Sequence, residues 1–331
     1  VSRRQTITLS AVLAAAVLAC LWRLVVGGDS IGFPGSADTD LAIWNLRLIR
    51  MSAGVAVGGA LAVGGVMLQS LLRNPLASPD LLGLSSGAGL AVMIATYAAA
   101  VRTGELSIPP AAQGVAALVG AVAALVVVYA LSQRRGVIEP VSMILVGVIV
   151  SIICGAGTML LQRLMPDRGM SSERWFLGQL TDDLTWTPIA VVGAVTLALT
   201  ALGACLGPAM DAGALGDDEA RSVGVPVGRL RALLFVASGV LTAAAVFLVG
   251  PVGFVGLVCP HVVRLGAGPA HRVVVIGSAL AGAALVVGAD AAIKTPSATW
   301  LPTGRLPLGV LTALIGGPIF LWLLLREMKG R

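Results

Sequence analysis

Over 331 residues, 57% of the side chains are hydrophobic and only 11% are charged, where a soluble domain carries about 25% charged residues. That deficit excludes an ordinary water-soluble protein: for most of the chain the solvent is lipid. The formal net charge of +6 does not point to nucleic acid, because the arginines sit scattered at the ends of apolar runs, the pattern of a polytopic membrane protein.

A membrane span needs about 20 apolar residues, since a helix rises about 1.5 Å per residue across about 30 Å of hydrocarbon. Windows free of Asp, Glu, Lys and Arg fall at 5–22, 51–72, 81–101, 106–133, 140–162, 184–210, 232–263, 273–289 and 306–325. The first follows Ser2-Arg3-Arg4 and contains Ala19-Cys20, a loose likeness to a twin-arginine or lipoprotein signal. With the rest of the chain also membrane-spanning, it reads better as a first transmembrane helix with cytoplasmic arginines. The window 232–263 is too long for one span and too short for two, and Gly250-Pro251 and Gly253 break it. It is expected to form a full helix, a turn and a short half-helix, which gives about ten membrane segments.

An even number places both termini on one side. Arg3 and Arg4 at one end, and Arg326, Lys329 and Arg331 at the other, make that side cytoplasmic. No tract reads as a separate domain, so residues 1–331 are expected to form a single transmembrane domain with its longest inner loop at about 208–231. Gly54 and Gly58, and Gly147, Ser151 and Gly155, carry the four-residue spacing that lets helices approach closely.

The candidate chemistry is sparse. Cys20, Cys154, Cys205 and Cys259 all lie in apolar runs without zinc-type spacing and read as small core residues. Cys259-Pro260-His261 resembles the intramembrane metal motif of heavy-metal pumps, but no soluble stretch is long enough for the phosphorylation domain such a pump needs. His261 and His271 are read as structural, and no metal site is expected. Gly288 to Thr295 is a near miss to a phosphate-binding P-loop, with Ile293 where the second glycine belongs. The chain is therefore expected to have no catalytic residues, not to be an enzyme, and to leave ATP hydrolysis to another subunit. An ion-coupled secondary transporter would bury acidic residues in its spans, and Asp290, near a span end, is the one candidate.

Four segments carry a specific resemblance. The first is Arg73-Asn74-Pro75-Leu76-Ala77-Ser78-Pro79-Asp80-Leu81-Leu82-Gly83-Leu84-Ser85-Ser86-Gly87-Ala88. The second is Leu215-Gly216-Asp217-Asp218-Glu219-Ala220-Arg221-Ser222-Val223-Gly224-Val225. The third runs from Gly250-Pro251-Val252-Gly253-Phe254-Val255-Gly256 to Cys259-Pro260-His261 and Arg264, with His271-Arg272 following. The fourth is Leu306-Pro307-Leu308-Gly309 with Thr312-Ala313 and Gly316-Gly317-Pro318. In order and spacing they resemble the signatures of the FecCD family, the permeases of iron–siderophore, haem and cobalamin ABC importers. Two departures stand out: Arg305 where the family usually has Glu, and a longer loop at 294–305.

The resemblance implies an all-α polytopic membrane protein with ten helices, the type II ABC importer permease fold, working as a permease dimer of identical or paralogous chains in the bacterial inner membrane. It implies import of an iron–siderophore complex by alternating access, with haem or cobalamin as the alternative cargo. It also implies three kinds of protein partner: ATPase subunits, a second permease and an extracytoplasmic substrate-binding protein. By the same resemblance, Leu215, Gly216, Asp217, Asp218, Glu219, Ala220, Arg221 and Gly224 form the element that couples to the ATPase. The acidic residues there also suit the start of a short helix, which Gly224 and Pro226 would end. Arg47, Arg50 and Lys294 match outward-facing basic positions that dock the binding protein, although helix-end arginines also snorkel and Lys294 could pair with Asp290 four residues earlier. Leu84, Ser85, Ser86, Pro140 and Val141 match the cytoplasmic gate. Asn74, Pro75, Gly83, Gly253, Gly256, Pro260 and His261 belong to the family's structural motifs.

Overall fold

The computed structural model describes residues 2–27, 30–31, 38–103, 108–134, 136–165, 177–295 and 306–329. Among them run eleven α-helices: α1 (Arg3–Val25), α2 (Asp38–Leu72), α3 (Leu84–Thr103), α4 (Pro110–Leu131), α5 (Pro140–Leu164), α6 (Trp186–Leu215), α7 (Asp217–Ser222), α8 (Val227–Val249), α9 (Val255–Ala267), α10 (His271–Lys294) and α11 (Leu308–Lys329). A 3₁₀ turn at Pro79–Leu82 precedes α3. Two antiparallel ribbons, β1 (Val26–Gly27) with β2 (Ser30–Ile31) and β3 (Gln133–Arg134) with β4 (Val137–Ile138), close tight connections. Eight helices are long and apolar enough to cross a membrane, and α9 and the Leu308–Leu321 part of α11 are shorter apolar segments. Every window read from the sequence holds a helix, and the total of ten apolar segments matches the expectation.

The long window divides as expected. Gly250 ends α8 at φ 73° and Phe254 starts α9 at φ 67°. A left-handed phenylalanine is rare, and its side chain explains why it holds here. A Cβ on Gly316 would lie 2.6 Å from the Phe254 Cβ, so the glycines of α11 open the space that Phe254 occupies. Gly309 and Gly178 close on the Pro251 carbonyl from the other side. The third and fourth signature segments are thus one packed unit.

The core is α2, backed by α8 and α10. The spanning windows of these three helices are 83%, 67% and 61% buried, against 11% for α1 and 17% for α5. α2 and α10 meet backbone to backbone: a Cβ on Gly58 would lie 2.1 Å from the Gly282 carbonyl oxygen, a spacing only glycines allow. Gly147 makes a similar approach to Leu81, whereas a Cβ on Gly155 would meet nothing within 4 Å among the described residues.

Three expectations are corrected. The inner loop is narrower than 208–231, because α6 continues to Leu215 past Pro208 and α8 begins at Val227. The connection proper is 216–226. α2 begins a dozen residues before its charge-free window, because Arg47 and Arg50 are buried within it. Of the four cysteines only Cys259 is buried, and Cys205 is exposed. Arg305 and most of the loop 294–305 lie outside the described residues, as do Arg331 and the side chains of Arg326 and Lys329.

Candidate functional site

One end of the bundle carries α7. Its first turn holds Asp217, Asp218 and Glu219 and its last holds Arg221, the charge order that the helix dipole favours. Gly224 at φ 84° turns the chain back, and the Val225 amide donates to the Ala220 carbonyl at 2.9 Å. Ala220 is fully buried, while Leu215 and Val223 are 78% and 69% exposed. The short helix is therefore anchored through Ala220, while Leu215 and Val223, which flank it, and the carboxylate of Asp218 are exposed.

Two arginines hold its first residue. Arg73, the last residue before the Asn74–Gly83 segment, adopts φ 48° and donates Nε to the Gly213 carbonyl at 2.6 Å and Nη2 to Asp217. Arg231, in the first turns of α8, donates Nη2 to both Asp217 oxygens at 2.9 and 3.0 Å and Nη1 to the Ile138 carbonyl at 3.2 Å.

The first signature segment folds over the same end. The Asn74 side chain accepts from the Leu76 amide at 2.9 Å, and the Asn74 carbonyl accepts from the Ala77 amide, which shapes the turn around Pro75. Gln69 donates Nε2 to the Ala77 and Gly256 carbonyls and accepts from Arg264. Pro79 packs on Gly256. Gly83, at φ 73°, turns the chain into α3 against Gly147 and Ser151 of α5. Of the expected gate residues, Leu84 follows Gly83 and is fully buried, Ser85 donates to Asp80 at 3.1 Å, Ser86 is half-buried, and Pro140 opens α5 with Val141 73% exposed. His261 is buried and packs edge-on against Phe320, next to Pro260 within α9. His271 Nδ1 lies 2.7 Å from Asp211. Among the described residues, no three His, Cys, Asp or Glu side chains are placed to share a metal ion.

The opposite end holds an ionic cluster that sequence reasoning missed. Asp290 of α10, 2% exposed, accepts from Arg23 of α1 at 2.5 Å and from Arg50 of α2 at 2.6 Å. Arg50 also reaches Asp182 at 2.5 Å, with Lys294 Nζ 3.7 Å away from the same carboxyl. Arg47 donates to the Leu24 carbonyl at 2.6 Å. Arg47 and Arg50 lie at the end opposite α7 and are 4% and 6% exposed, turned to partners within the single chain. Lys294 sits at the rim against Asp182 rather than on Asp290. Burial would raise the Asp182 carboxyl, but Arg50, Lys294 and Arg23 outweigh it and hold the group below the usual carboxylate range. The signal was present in the sequence, as an arginine inside an otherwise apolar helix, but its partners are hundreds of residues away. At the same end a cavity of about 530 Å³ opens between α4, α6 and α8, lined by Gln113, Gln179, Asp183 and Phe247 among others. None of the gate residues lines it.

This helical arrangement, with a broken α8–α9 pair and a short exposed helix after α6, is that of a type II ABC importer permease. A solved structure with this fold is an inward-facing ABC transporter provisionally assigned to the metal-chelate type: TM-score 0.81, 25% identity, covering 97% of this chain and 99% of that one. The FecCD transport family's profile matches residues 5–326, and the chain belongs to that family. It is 36% identical over 305 residues to the hemin transport system permease protein HmuU of Yersinia pestis, covering 89% of this chain and 88% of that protein. It is 34% identical over 336 residues to the vitamin B12 import system permease protein BtuC of Citrobacter koseri, covering 99% and 96%. The chain is thus a multi-pass permease of an ABC importer and belongs to a family of transport permeases rather than catalytic subunits.

Proposed function

We propose that this permease carries a chelated metal complex into the cytoplasm, driven by ATPase subunits that seat on α7. The observation that carries this reading is the two-faced short helix: apolar and acidic groups outward, Ala220 and Asp217 locked inward. A rigid element of this kind can pass on a movement that a loose loop would absorb. ATP is bound and spent by the partner, and both termini lie with α7 on the cytoplasmic side.

The cargo class is a metal chelate. The sequence reading puts an iron–siderophore first, and the relatives named for hemin and vitamin B12 support a tetrapyrrole equally. A preformed chelate needs no metal ligands from the permease. Val141, one of the gate residues, is exposed on the single chain, which fits a pathway formed between this chain and a second permease. The binding protein is proposed to deliver cargo at the opposite end, where Lys294 and Asp182 form the rim.

Co-purification tests the α7 assignment. Leu215→Asp and Val223→Asp place new charge on the exposed apolar face, and both variants are expected to fold normally yet lose the co-expressed ATPase. Retention of the ATPase by both would show that α7 is not its seat.

A further inference from the structure

At the α7 end the Arg231 guanidinium joins three elements. Its Nη2 holds both oxygens of Asp217, the first residue of α7. Its Nη1 holds the Ile138 carbonyl. Ile138 is 3% exposed and lies in β4, two residues before Pro140 opens α5. The link from Ile138 to α5 is short and stiff. The Glu139 amide donates to Ser132, closing the β3–β4 ribbon, and the Glu139 carboxylate accepts from Ser142 at 2.6 Å in the first turn of α5. Val137 packs on Gly228 of α8. The planar fork of an arginine suits this task, since its donors point at two partners in fixed directions, which an ammonium group does not provide.

We propose that Arg231 is the positioning residue through which a movement of α7 reaches α5 and the gate at Pro140 and Val141. A displacement of Asp217 pulls on Arg231, and Arg231 pulls on the peptide carbonyl that sets the start of α5. Asp217 also binds Arg73, which immediately precedes the segment leading to Leu84, Ser85 and Ser86. One carboxylate thus addresses both arms of the gate, and Arg231 serves the α5 arm. The inference rests on the reading of α7 as the ATPase seat.

The experiment uses the full chain reconstituted with its ATPase and binding protein, measuring ATPase association, stimulated hydrolysis and cargo delivered per ATP. Arg231→Met keeps the length and removes both arms. Arg231→Lys keeps a charge for Asp217 but cannot also span to Ile138. For Arg231→Met the ATPase stays bound and hydrolysis continues, while cargo per ATP falls about tenfold, within the usual range for coupling between sites. Arg231→Lys falls less, because its ammonium still pairs with Asp217. Cargo per ATP at the wild-type value in both single variants overturns the proposal, as does uptake lost only in proportion to bound ATPase. Should Arg231→Met fail to fold, Arg231→Lys decides alone, its expected fall supporting and an unchanged ratio overturning the link. Failure of the unaltered chain to bind an ATPase or to respond to ATP instead overturns the reading on which the proposal rests.

Discussion

Asp290 is the residue on which the end of the bundle opposite α7 depends. A carboxylate buried between two guanidinium groups costs several kcal/mol to desolvate, and removing it leaves Arg23 and Arg50 buried without their central partner. Loss of one member of such a group costs about 3–5 kcal/mol. Asp290→Ala is therefore expected to lower the melting temperature in detergent sharply and to loosen α1, which is otherwise held at this end by few buried side chains; a melting temperature equal to the wild type would contradict the role. Asp182→Ala is expected to cost far less, about 0–1 kcal/mol, because its side chain is 60% exposed. Its pH dependence follows from the direction of its shift. A carboxyl depressed in the folded state contributes stability that is constant above its unfolded value of about 3.9 and is lost as the pH falls through the lower folded value. The difference in melting temperature between wild type and Asp182→Ala is thus expected to stay flat from pH 8 to about 5 and to vanish only in strong acid. A difference that changed between pH 8 and pH 6 would point to another titrating group.

At the scale of elements, the close contact of α2 with α10 is the most sensitive to size. Gly58→Ala drives a methyl group into the Gly282 carbonyl, so the two core helices must separate, with an expected loss of about 1–3 kcal/mol from overpacking. Gly155→Ala, on the open face of α5, is the matched control and is expected to leave the melting temperature unchanged. The helices themselves were legible because hydrophobicity alone marks a span, and Gly250-Pro251 announced the break before α9. What hydrophobicity could not show is where a charged residue belongs to a helix. Arg50 and Asp290 bounded sequence windows, yet each is buried inside a longer helix because its counter-charge comes from a distant part of the chain. The short helix α7 was readable from its acidic first turn and Gly224. Its clamps, Arg73 and Arg231, were not, since nothing local marks an arginine as the partner of Asp217.

Taken as a whole, the molecule divides its tasks between its two ends. The α7 end gathers the first two signature segments and the end of the third around Gln69, Asp217 and Gly256, while the fourth segment supports the broken turn at Phe254. The opposite end is pinned by a buried ionic cluster that holds α1, α2 and α10 together. In the account proposed above, ATPase subunits push at α7, the pinned end keeps its helices together, and the exposed Val141 lies on a path completed by a second permease. The measurement that tests this most directly is uptake into proteoliposomes holding this permease with its ATPase and binding protein, with a ferric siderophore, haem and cobalamin offered in parallel. The account predicts that one metal chelate accumulates and that accumulation stops when ATP or the ATPase is left out. Flux of any cargo without ATPase or ATP, or no uptake of any chelate by the complete assembly, would contradict it.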